Sequence, residues 1–183
     1  MELDAPMLAI SGSLRRDSIN SAALRAAGRA AARDGLSVVI DDSPRALPHF
    51  NPDLEPFAPE AVQRFRQACA EAHGVLLAVP EYTFGIPGTF KNALDWLVRS
   101  GSLYRKPVAV LYVAPRGRGQ HLRATLAHVL KAHNADVRSH RVPIARRDLD
   151  ENGEITDPKI VADLRALVAA LSRRSAVAEA AGA

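Results

Sequence analysis

Short apolar runs alternate along this chain with longer stretches in which apolar residues recur every three or four positions. Five runs are rich in aliphatic residues and lie at 6–11, 36–40, 74–79, 107–114 and about 136–144. The first, third and fourth are nearly continuous in hydrophobicity, as parallel strands buried on both faces are. We therefore predict a β-strand at each of the five runs.

The stretches between and after these runs have helical rather than strand spacing. The predicted helices span 18–33, 59–72, 88–99, 119–133 and about 158–173. The apolar stripe of the second includes Cys69, which favours a buried thiol over a nucleophile, and Trp96 on the third is expected in the core. Strict alternation of strand and helix predicts an α/β fold, with a parallel sheet, helices on both faces and right-handed crossovers.

The length of 183 residues fits a single domain, expected over 1–174, with a frayed tail at 175–183. The proline-rich segment 41–58 is predicted to be an ordered irregular loop. Residues 145–157 are predicted to form a second loop at the surface. No apolar stretch reaches membrane-spanning length, and the N-terminus lacks the order of a secretory signal. One cysteine excludes an internal disulfide. We expect a cytoplasmic location.

The net charge of +4 is compatible with anionic ligands or nucleic acid. The basic residues are, however, spread along the chain and mixed with acids. Aromatic residues make up 5%, and no run interleaves them with Lys or Arg as a single-strand binding platform does. We therefore expect solvated surface charge and no nucleic-acid or membrane partner. The histidines lack i, i+4 ligand spacing, so no metal site is expected.

A hydroxyl-rich, basic loop follows the first apolar run and leads directly into the first helix. A strand, a polar turn and a helix in that order build a phosphate site, because the helix N-terminus offers unpaired N–H groups and partial positive charge. Hydrogen bonds or charge are available there from Ser13, Arg15, Ser18 and Asn20. The alternative is that Ser18 or Asp17 caps the helix while the arginines are solvated. The loop alone leaves both interpretations open.

The loop at 80–88, after the third run, contains two prolines and two glycines. Its backbone is stiff in places and free to take unusual dihedral angles in others. Such a loop can present N–H and C=O groups to a planar heterocycle, with Tyr82 and Phe84 as flat walls. The alternative is a tight loop in which Pro87 starts the next helix.

The loop at 114–120, after the fourth run, combines glycines with two arginines. The glycines permit close approach of the backbone to a ligand, and Arg116 and Arg118 could meet a phosphate group. The alternative is that both arginines are exposed to solvent. Residue types and spacing leave the choice open for this loop as well.

Taken together, these loops resemble the NAD(P)H-dependent FMN reductases, which include bacterial quinone and chromate reductases and relatives of azoreductases. The shared pattern is G-S-L-R-x-x-S-x-N at 12–20 and P-E-Y-x-x-x-x-P-G-x-x-K-N-A-x-D-W at 80–96. Similarity in layout covers roughly residues 6–172. The resemblance implies a flavodoxin-like three-layer sandwich with strand order 2-1-3-4-5 and FMN at one edge of the sheet.

Carried over position by position, the resemblance implies three groups of cofactor-binding residues. The FMN phosphate would be held by Ser13, Arg15, Ser18, the Ile19 backbone and Asn20. The isoalloxazine ring would be lined, mostly by backbone, by Pro80, Glu81, Tyr82, Thr83 and Phe84. The third loop would add Arg116 and Gly117. Two features depart from the family: Asn is usual at the position of Thr83, and the third loop is usually small. Arginines there would favour the extra phosphate of NADPH, unless they are merely solvated.

The implied activity is that of an FMN-dependent NAD(P)H:acceptor oxidoreductase. NAD(P)H, the co-substrate, would pass hydride to flavin N5 and leave, and a quinone, free flavin, azo compound or metal oxyanion would then accept the electrons in a ping-pong cycle. The flavin carries this chemistry, so no side chain is expected to be catalytic. Relatives imply a homodimer or homotetramer. The alternatives are a non-enzymatic flavin electron carrier and a flavin-free binding protein of the same fold.

Overall fold

The computed structural model describes residues 5–113 and 119–180. These residues form one five-stranded sheet in the order β2-β1-β3-β4-β5, which confirms the expected topology. All four strand pairs are parallel. The strands are β1 (Met7–Ser11), β2 (Val38–Asp41), β3 (Val75–Ala78), β4 (Pro107–Val113) and β5 (Asp136–Val142).

A helix follows each strand, as the hydrophobic pattern predicts. The helices are α1 (Ile19–Ala32), α2 (Glu60–Glu71), α3 (Gly88–Val98), α4 (Gln120–Ala132) and α5 (Pro158–Ala180). The last extends beyond its predicted end near residue 173. Short 3₁₀ turns lie in the connecting loops at Ser43–Arg45, Pro52–Phe57 and Arg146–Asp148.

Helices cover both faces of the sheet and form two apolar layers. On one face, small side chains of α1 such as Ala23 and Ala27 are fully buried and let the helix approach the strands closely, beside α5. On the other face, Cys69 and Trp96 are also fully buried, as predicted. Burial raises the pKa of the Cys69 thiol to about 12, so this group is a core thiol and not a nucleophile.

The proline-rich loop at 41–58 is held against α3 by side chains of that helix. The Pro48 carbonyl accepts hydrogen bonds from Asn92 Nδ2 at 2.9 Å and Trp96 Nε1 at 2.8 Å. Asn92 Oδ1 accepts one from the Phe50 amide at 2.7 Å, and the Phe50 ring packs edge-on against Trp96 with centroids 5.0 Å apart. Asn92, the asparagine of the K-N-A-x-D-W part of the shared pattern, thus fastens this loop to α3.

A buried ion pair fastens the same loop to α2. Arg66 Nη2 lies 2.7 Å from Glu55 Oε2, and the two side chains are only 15% and 6% exposed. Arg66 Nε also donates to the Trp96 carbonyl at 2.7 Å. One guanidinium group therefore satisfies a buried carboxylate and a carbonyl near the C-terminus of α3, where a cation is electrostatically favoured.

The second long loop, at 145–157, is anchored to α1 by a carboxylate. Glu154 accepts hydrogen bonds from Arg25 Nε at 2.7 Å and from Arg29 Nη1 at 2.6 Å. Arg25 also donates to the Gly153 carbonyl at 3.1 Å. These contacts hold the loop against the middle and the C-terminal half of α1.

This anchor is expected to weaken in acid. Burial of Glu154 raises its pKa, but the hydrogen bonds from Arg29 and Arg25 outweigh that effect, so the net pKa lies below its ordinary value. A lowered folded-state pKa adds stability that is present above the ordinary carboxyl value and disappears as the pH falls through the folded value. Partial exposure limits this contribution to about 1 kcal/mol or less.

Urea unfolding from about pH 5 downwards tests this expectation, since carboxyl groups titrate in that range. The wild type should lose more unfolding free energy on acidification than Glu154→Gln does. Glu151→Gln removes an exposed carboxylate of the same loop and should behave like the wild type. If the free energy of unfolding falls equally on acidification in the wild type and in Glu154→Gln, the anchor contributes nothing to the pH dependence of stability.

Candidate active site

Loops at the carboxyl edge of the sheet surround one cavity of about 620 Å³. This is the edge at which parallel α/β sheets bind ligands. Predicted site residues that line the cavity are Ser13, Arg15, Ser18, Ile19, Asn20, Pro80, Glu81 and Tyr82. Its remaining lining residues are Asp17, Val113, Gly119, Ile144, Ala145 and Arg146. The fold therefore brings the first two candidate loops together, although they are about sixty residues apart in the chain.

The start of α1 forms the polar end of this cavity. Ser18 precedes the helix in an extended conformation, and its side chain accepts a hydrogen bond from the Ser21 amide at 3.5 Å. The first-turn amides of Ile19 and Asn20 have no acceptor within the helix, because helix geometry provides none. Ser18 thus does cap the helix, and the cap still leaves a positive helix end that suits an anion.

Asn20 carries an unsatisfied polar atom at this end. The residue is 6% exposed, and its Oδ1 has no hydrogen-bond partner in the described part of the protein. Buried side-chain oxygens are rarely left unpaired, because the loss of hydration is not repaid. The position of Asn20 in the cavity wall therefore indicates that a ligand supplies the missing hydrogen bond.

The first loop passes very close to the end of β3. A Cβ atom on Gly12 would lie 2.9 Å from Val79 Cγ1, so only glycine fits here without displacement. Beyond it, the Arg15 amide donates to Ser13 Oγ at 3.4 Å, while the Arg15 side chain is exposed and pairs with no acid in the described residues. Its guanidinium group is therefore free to meet a ligand.

The second loop contains a strained turn. The Tyr82 amide donates to the Gly85 carbonyl at 3.1 Å, and the Gly85 amide donates to the Tyr82 carbonyl at 2.9 Å. Between them Thr83 and Phe84 have φ values of 48° and 59°. Positive φ at both central positions defines a type I′ turn, which favours Asn and Gly. A β-branched threonine in this region is an outlier that costs about 1–3 kcal/mol.

Thr83→Asn is therefore expected to stabilise the protein by about 1 kcal/mol, because asparagine tolerates positive φ far better than threonine. Urea unfolding of the protein without added cofactor measures the change. Thr156→Asn is the matched control, since Thr156 is also exposed in a loop but has no positive φ. A gain of equal size at both positions would show that backbone strain at Thr83 is not the cause.

Side chains of the second loop connect it to the first loop and to the start of α4. The Tyr82 hydroxyl lies 3.4 Å from Ser13 Oγ in the first loop. Glu81 Oε2 accepts a hydrogen bond from the Leu122 amide at 2.8 Å, which caps the start of α4. Phe84 is 73% exposed, outside the cavity lining, and packs edge-on against His121 with centroids 5.1 Å apart. This loop thus links the first candidate loop to the helix that follows the third.

The capping role of Glu81 was not foreseen. The only signal in the sequence is indirect: α4 begins after Gly119, which has no side chain to cap a helix, and has no acidic residue in its first turn. The predicted site residues Arg116 and Gly117 lie outside the described residues, as does Arg118. The structure describes the end of the third loop at Gly119, where φ is 90°.

Comparisons with known proteins agree with this architecture. The family model described as NADPH-dependent FMN reductase matches residues 6–150. A rice protein named as a probable NADPH:quinone oxidoreductase is 34% identical over 176 residues, covering 89% of this chain and 85% of its own. An NAD(P)H-dependent FMN reductase of Pseudomonas aeruginosa is 35% identical over 167 residues, covering 87% of this chain and 89% of its own.

A solved structure of a flavoenzyme is similar to this chain over nearly its whole length. The flavoenzyme NAD(P)H:(acceptor) oxidoreductase FerB of Paracoccus denitrificans superposes with a TM-score of 0.77 at 29% sequence identity, covering 92% of this chain and 96% of the other. The match of the family model extends over all three candidate loops of the sequence, and the two relatives align over most of their length. The chain belongs to the NADPH-dependent FMN reductase family.

Proposed function

We propose that the electron acceptor of this FMN-dependent NAD(P)H oxidoreductase is a small quinone. Family membership carries the cofactor and the reaction class. The quinone is supported by the rice relative, which is named for that acceptor and aligns over most of both chains. The exposed aromatic ring of Phe84, beside the cavity, provides an apolar surface against which a planar acceptor can stack.

The residues of the cavity fit FMN. Its polar end combines the start of α1, the free guanidinium of Arg15 and the unsatisfied Oδ1 of Asn20. A phosphate suits the first two, and a ribityl hydroxyl can donate to the third. With the Asn20 amide turned over, its Nδ2 would instead donate to a phosphate oxygen. Pro80 and Val113, which also line the cavity, provide less polar surface that suits a flat ring.

When bound, FMN would supply the redox chemistry, a two-electron transfer as hydride between NAD(P)H and the acceptor. We infer that the residues of this chain bind and orient it. Ser13, Arg15 and the first turn of α1 would hold the phosphate. The Tyr82–Ser13 contact holds the second loop against the first, and the hydrogen bond to the Glu81 carboxylate holds it against α4. These two contacts would keep the width of the cavity between the two loops constant.

The unsatisfied Asn20 oxygen is the structural observation that supports FMN in this cavity. Asn20→Leu is expected to weaken FMN binding by about tenfold, because a hydrogen bond to the ligand is lost. Fluorescence titration of FMN into the apoprotein measures the affinity. Asn152→Leu, at an exposed loop position outside this cavity, is the control. Equal affinity in the wild type and Asn20→Leu would contradict this use of Asn20.

Turnover separates the three functional hypotheses. The proposed enzyme binds FMN and oxidises NAD(P)H faster when a benzoquinone is added. A flavin electron carrier would bind FMN but would show no direct turnover with NAD(P)H. A flavin-free binding protein would show neither a flavin spectrum nor FMN affinity. Activity with azo dyes or chromate but not with quinones would leave the enzyme class intact and overturn the proposed acceptor.

We also infer that the chain forms a homodimer or homotetramer. In the apolar stripe of α3, Phe90, Leu94 and Leu97 are buried in their own domain, whereas Val98 is 54% exposed. Support comes from Phe84 beside the cavity and from Phe57, which are 73% and 87% exposed. Sedimentation of a 19.7 kDa particle at micromolar concentration would contradict the inference.

No helix in the described part of the chain is both long and apolar enough to span a bilayer. The cytoplasmic location expected from the sequence remains a proposal. Fractionation of the source cells, with detection of the protein in each fraction, would test it.

A further inference from the structure

A second cavity, of about 470 Å³, lies between the first loop and the loop at 145–157. Asp17, Ser18 and Arg146 line both this cavity and the candidate FMN cavity. The two spaces therefore adjoin, and they do so at the start of α1, where the phosphate end of FMN is proposed to lie. None of the functions assigned above uses the second cavity.

Two guanidinium groups in this cavity are uncommitted. Arg16 and Arg146 are exposed, and neither side chain pairs with a carboxylate in the described residues. Arg25, also in the lining, is different: it is held by Glu154 at 2.7 Å and by the Gly153 carbonyl at 3.1 Å. Arg16 and Arg146 thus remain available as planar donors that can each grip a phosphate with two hydrogen bonds.

The acidic residues of the lining have separate roles. Asp150 Oδ1 accepts hydrogen bonds from the amides of Asn152 and Glu154, both at 2.9 Å, and so belongs to the turn itself. Asp17 and Glu151 are exposed at the edge of the cavity. In dinucleotide sites a carboxylate accepts a hydrogen bond from the free ribose 2′-hydroxyl of NAD, whereas an arginine accommodates the 2′-phosphate of NADP. The arginines of this cavity, and not its carboxylates, are therefore the groups that suit a phosphorylated ribose.

We propose that the second cavity binds the adenosine 2′-phosphate half of NADPH, with Arg16 and Arg146 on the extra phosphate. This inference rests on the proposed function of the first cavity. NADPH has two nucleotide units and FMN has one. A dinucleotide that has its nicotinamide at the ring and runs along FMN in the same direction extends past the FMN phosphate, which is where the second cavity adjoins the first.

Arg146 is suited to the junction, because a cation that lines both cavities reduces repulsion between the phosphate of FMN and those of NADPH. The selectivity predicted from this arrangement is moderate. Arg16 and Arg146 are both exposed, so water and salt compete with the ligand. The formal charges of the three arginines and three acids that line the cavity also cancel, so selectivity depends on local hydrogen bonds and not on a general positive field.

The test compares the two nicotinamide nucleotides in the FMN-loaded protein. Arg16→Gln/Arg146→Gln should lower kcat/KM for NADPH about tenfold more than kcat/KM for NADH, since only NADPH carries the extra phosphate. Arg147→Gln is the matched control: Arg147 is the exposed neighbour of Arg146 and lines neither cavity. It should change neither value. FMN affinity is measured in every variant, so that an indirect effect through the cofactor is recognised.

Equilibrium binding of 2′,5′-ADP provides a readout independent of turnover. The wild type should bind it more tightly than 5′-AMP, and the double variant should lose that difference. An unchanged NADPH/NADH ratio in the double variant, or equal loss with both nucleotides, would overturn the inference. Loss of the preference in Arg116→Ala/Arg118→Ala alone would assign the extra phosphate to the third loop and overturn it as well.

Failure of the proposed function would give a different result from failure of the inference about the second cavity. In that case the wild type would not bind FMN or would oxidise neither nucleotide. Binding of 2′,5′-ADP by the apoprotein would then support the phosphate site in the second cavity. Absence of that binding would overturn this inference.

Discussion

Replacement of Arg66 by alanine is expected to lower the free energy of unfolding by about 3–5 kcal/mol, the largest effect that we predict for a single side chain in this protein. The Glu55 carboxylate, which is 6% exposed, would remain buried without its partner. The Trp96 carbonyl would lose a donor at 2.7 Å as well. Desolvation of an unpaired charge, and not the lost attraction itself, accounts for most of this cost.

Arg64→Ala is the natural control for this measurement. Arg64 lies on the exposed face of the same helix and pairs with Glu60 one turn away. Exposed pairs of this spacing are worth about 0.3–0.5 kcal/mol. Urea unfolding of both variants compares a buried with an exposed ion pair on one helix.

A double variant then distinguishes desolvation from loss of packing. Arg66→Met/Glu55→Leu removes both charges and retains apolar volume, so it should recover much of the stability lost in Arg66→Ala. If Arg66→Ala and Arg64→Ala lower the free energy of unfolding by equal, small amounts, water solvates Glu55 in the folded protein. A double variant no more stable than Arg66→Ala would show that the pair acts through specific hydrogen bonds.

Arg15→Ala is expected to weaken FMN binding by about 1.5–3 kcal/mol, which corresponds to roughly 10–150-fold in the dissociation constant. The reason is a charge-assisted contact between the Arg15 guanidinium and the FMN phosphate beside the start of α1. In the described residues this side chain is exposed and pairs with no acid, so no internal interaction needs to break before it meets a ligand.

Riboflavin, which lacks the phosphate, separates a phosphate contact from a general effect. Its affinity should be the same in the wild type and in Arg15→Ala. Arg33→Ala removes the same charge at the opposite end of α1 and should leave the affinity for both ligands unchanged. Equal weakening of FMN and riboflavin in Arg15→Ala would mean that Arg15 stabilises the loop instead of binding phosphate.

The proposed phosphate end of the site was accessible to sequence reasoning because its elements are consecutive. A strand, a short polar loop and the start of a helix are specified within residues 7–20, and helix geometry alone leaves first-turn amides free for an anion. Even so, the two interpretations of Ser18 were not exclusive: it caps α1, and the capped end still suits a phosphate.

The contacts of Glu81, Asn92 and Arg66 could not be predicted in the same way. Glu81 caps a helix 41 positions further along the chain, and Asn92 binds the backbone of a loop more than forty positions earlier. Local propensity and periodicity carry no information about which distant backbone group a polar side chain will meet. These partners depend on the order of the strands and on the path of each loop over the sheet.

The sequence by itself determined the alternating strands and helices, the residues that face the core, and the position of the first candidate loop between β1 and α1. Each of these follows from local periodicity and from the burial of apolar side chains. Only the tertiary structure decided that Thr83 and Phe84 occupy a strained turn, that Glu81 connects two loops, and that two cavities adjoin at the start of α1. The physical reason is that backbone strain and cavities arise where distant segments constrain one another, after the sheet has brought them together.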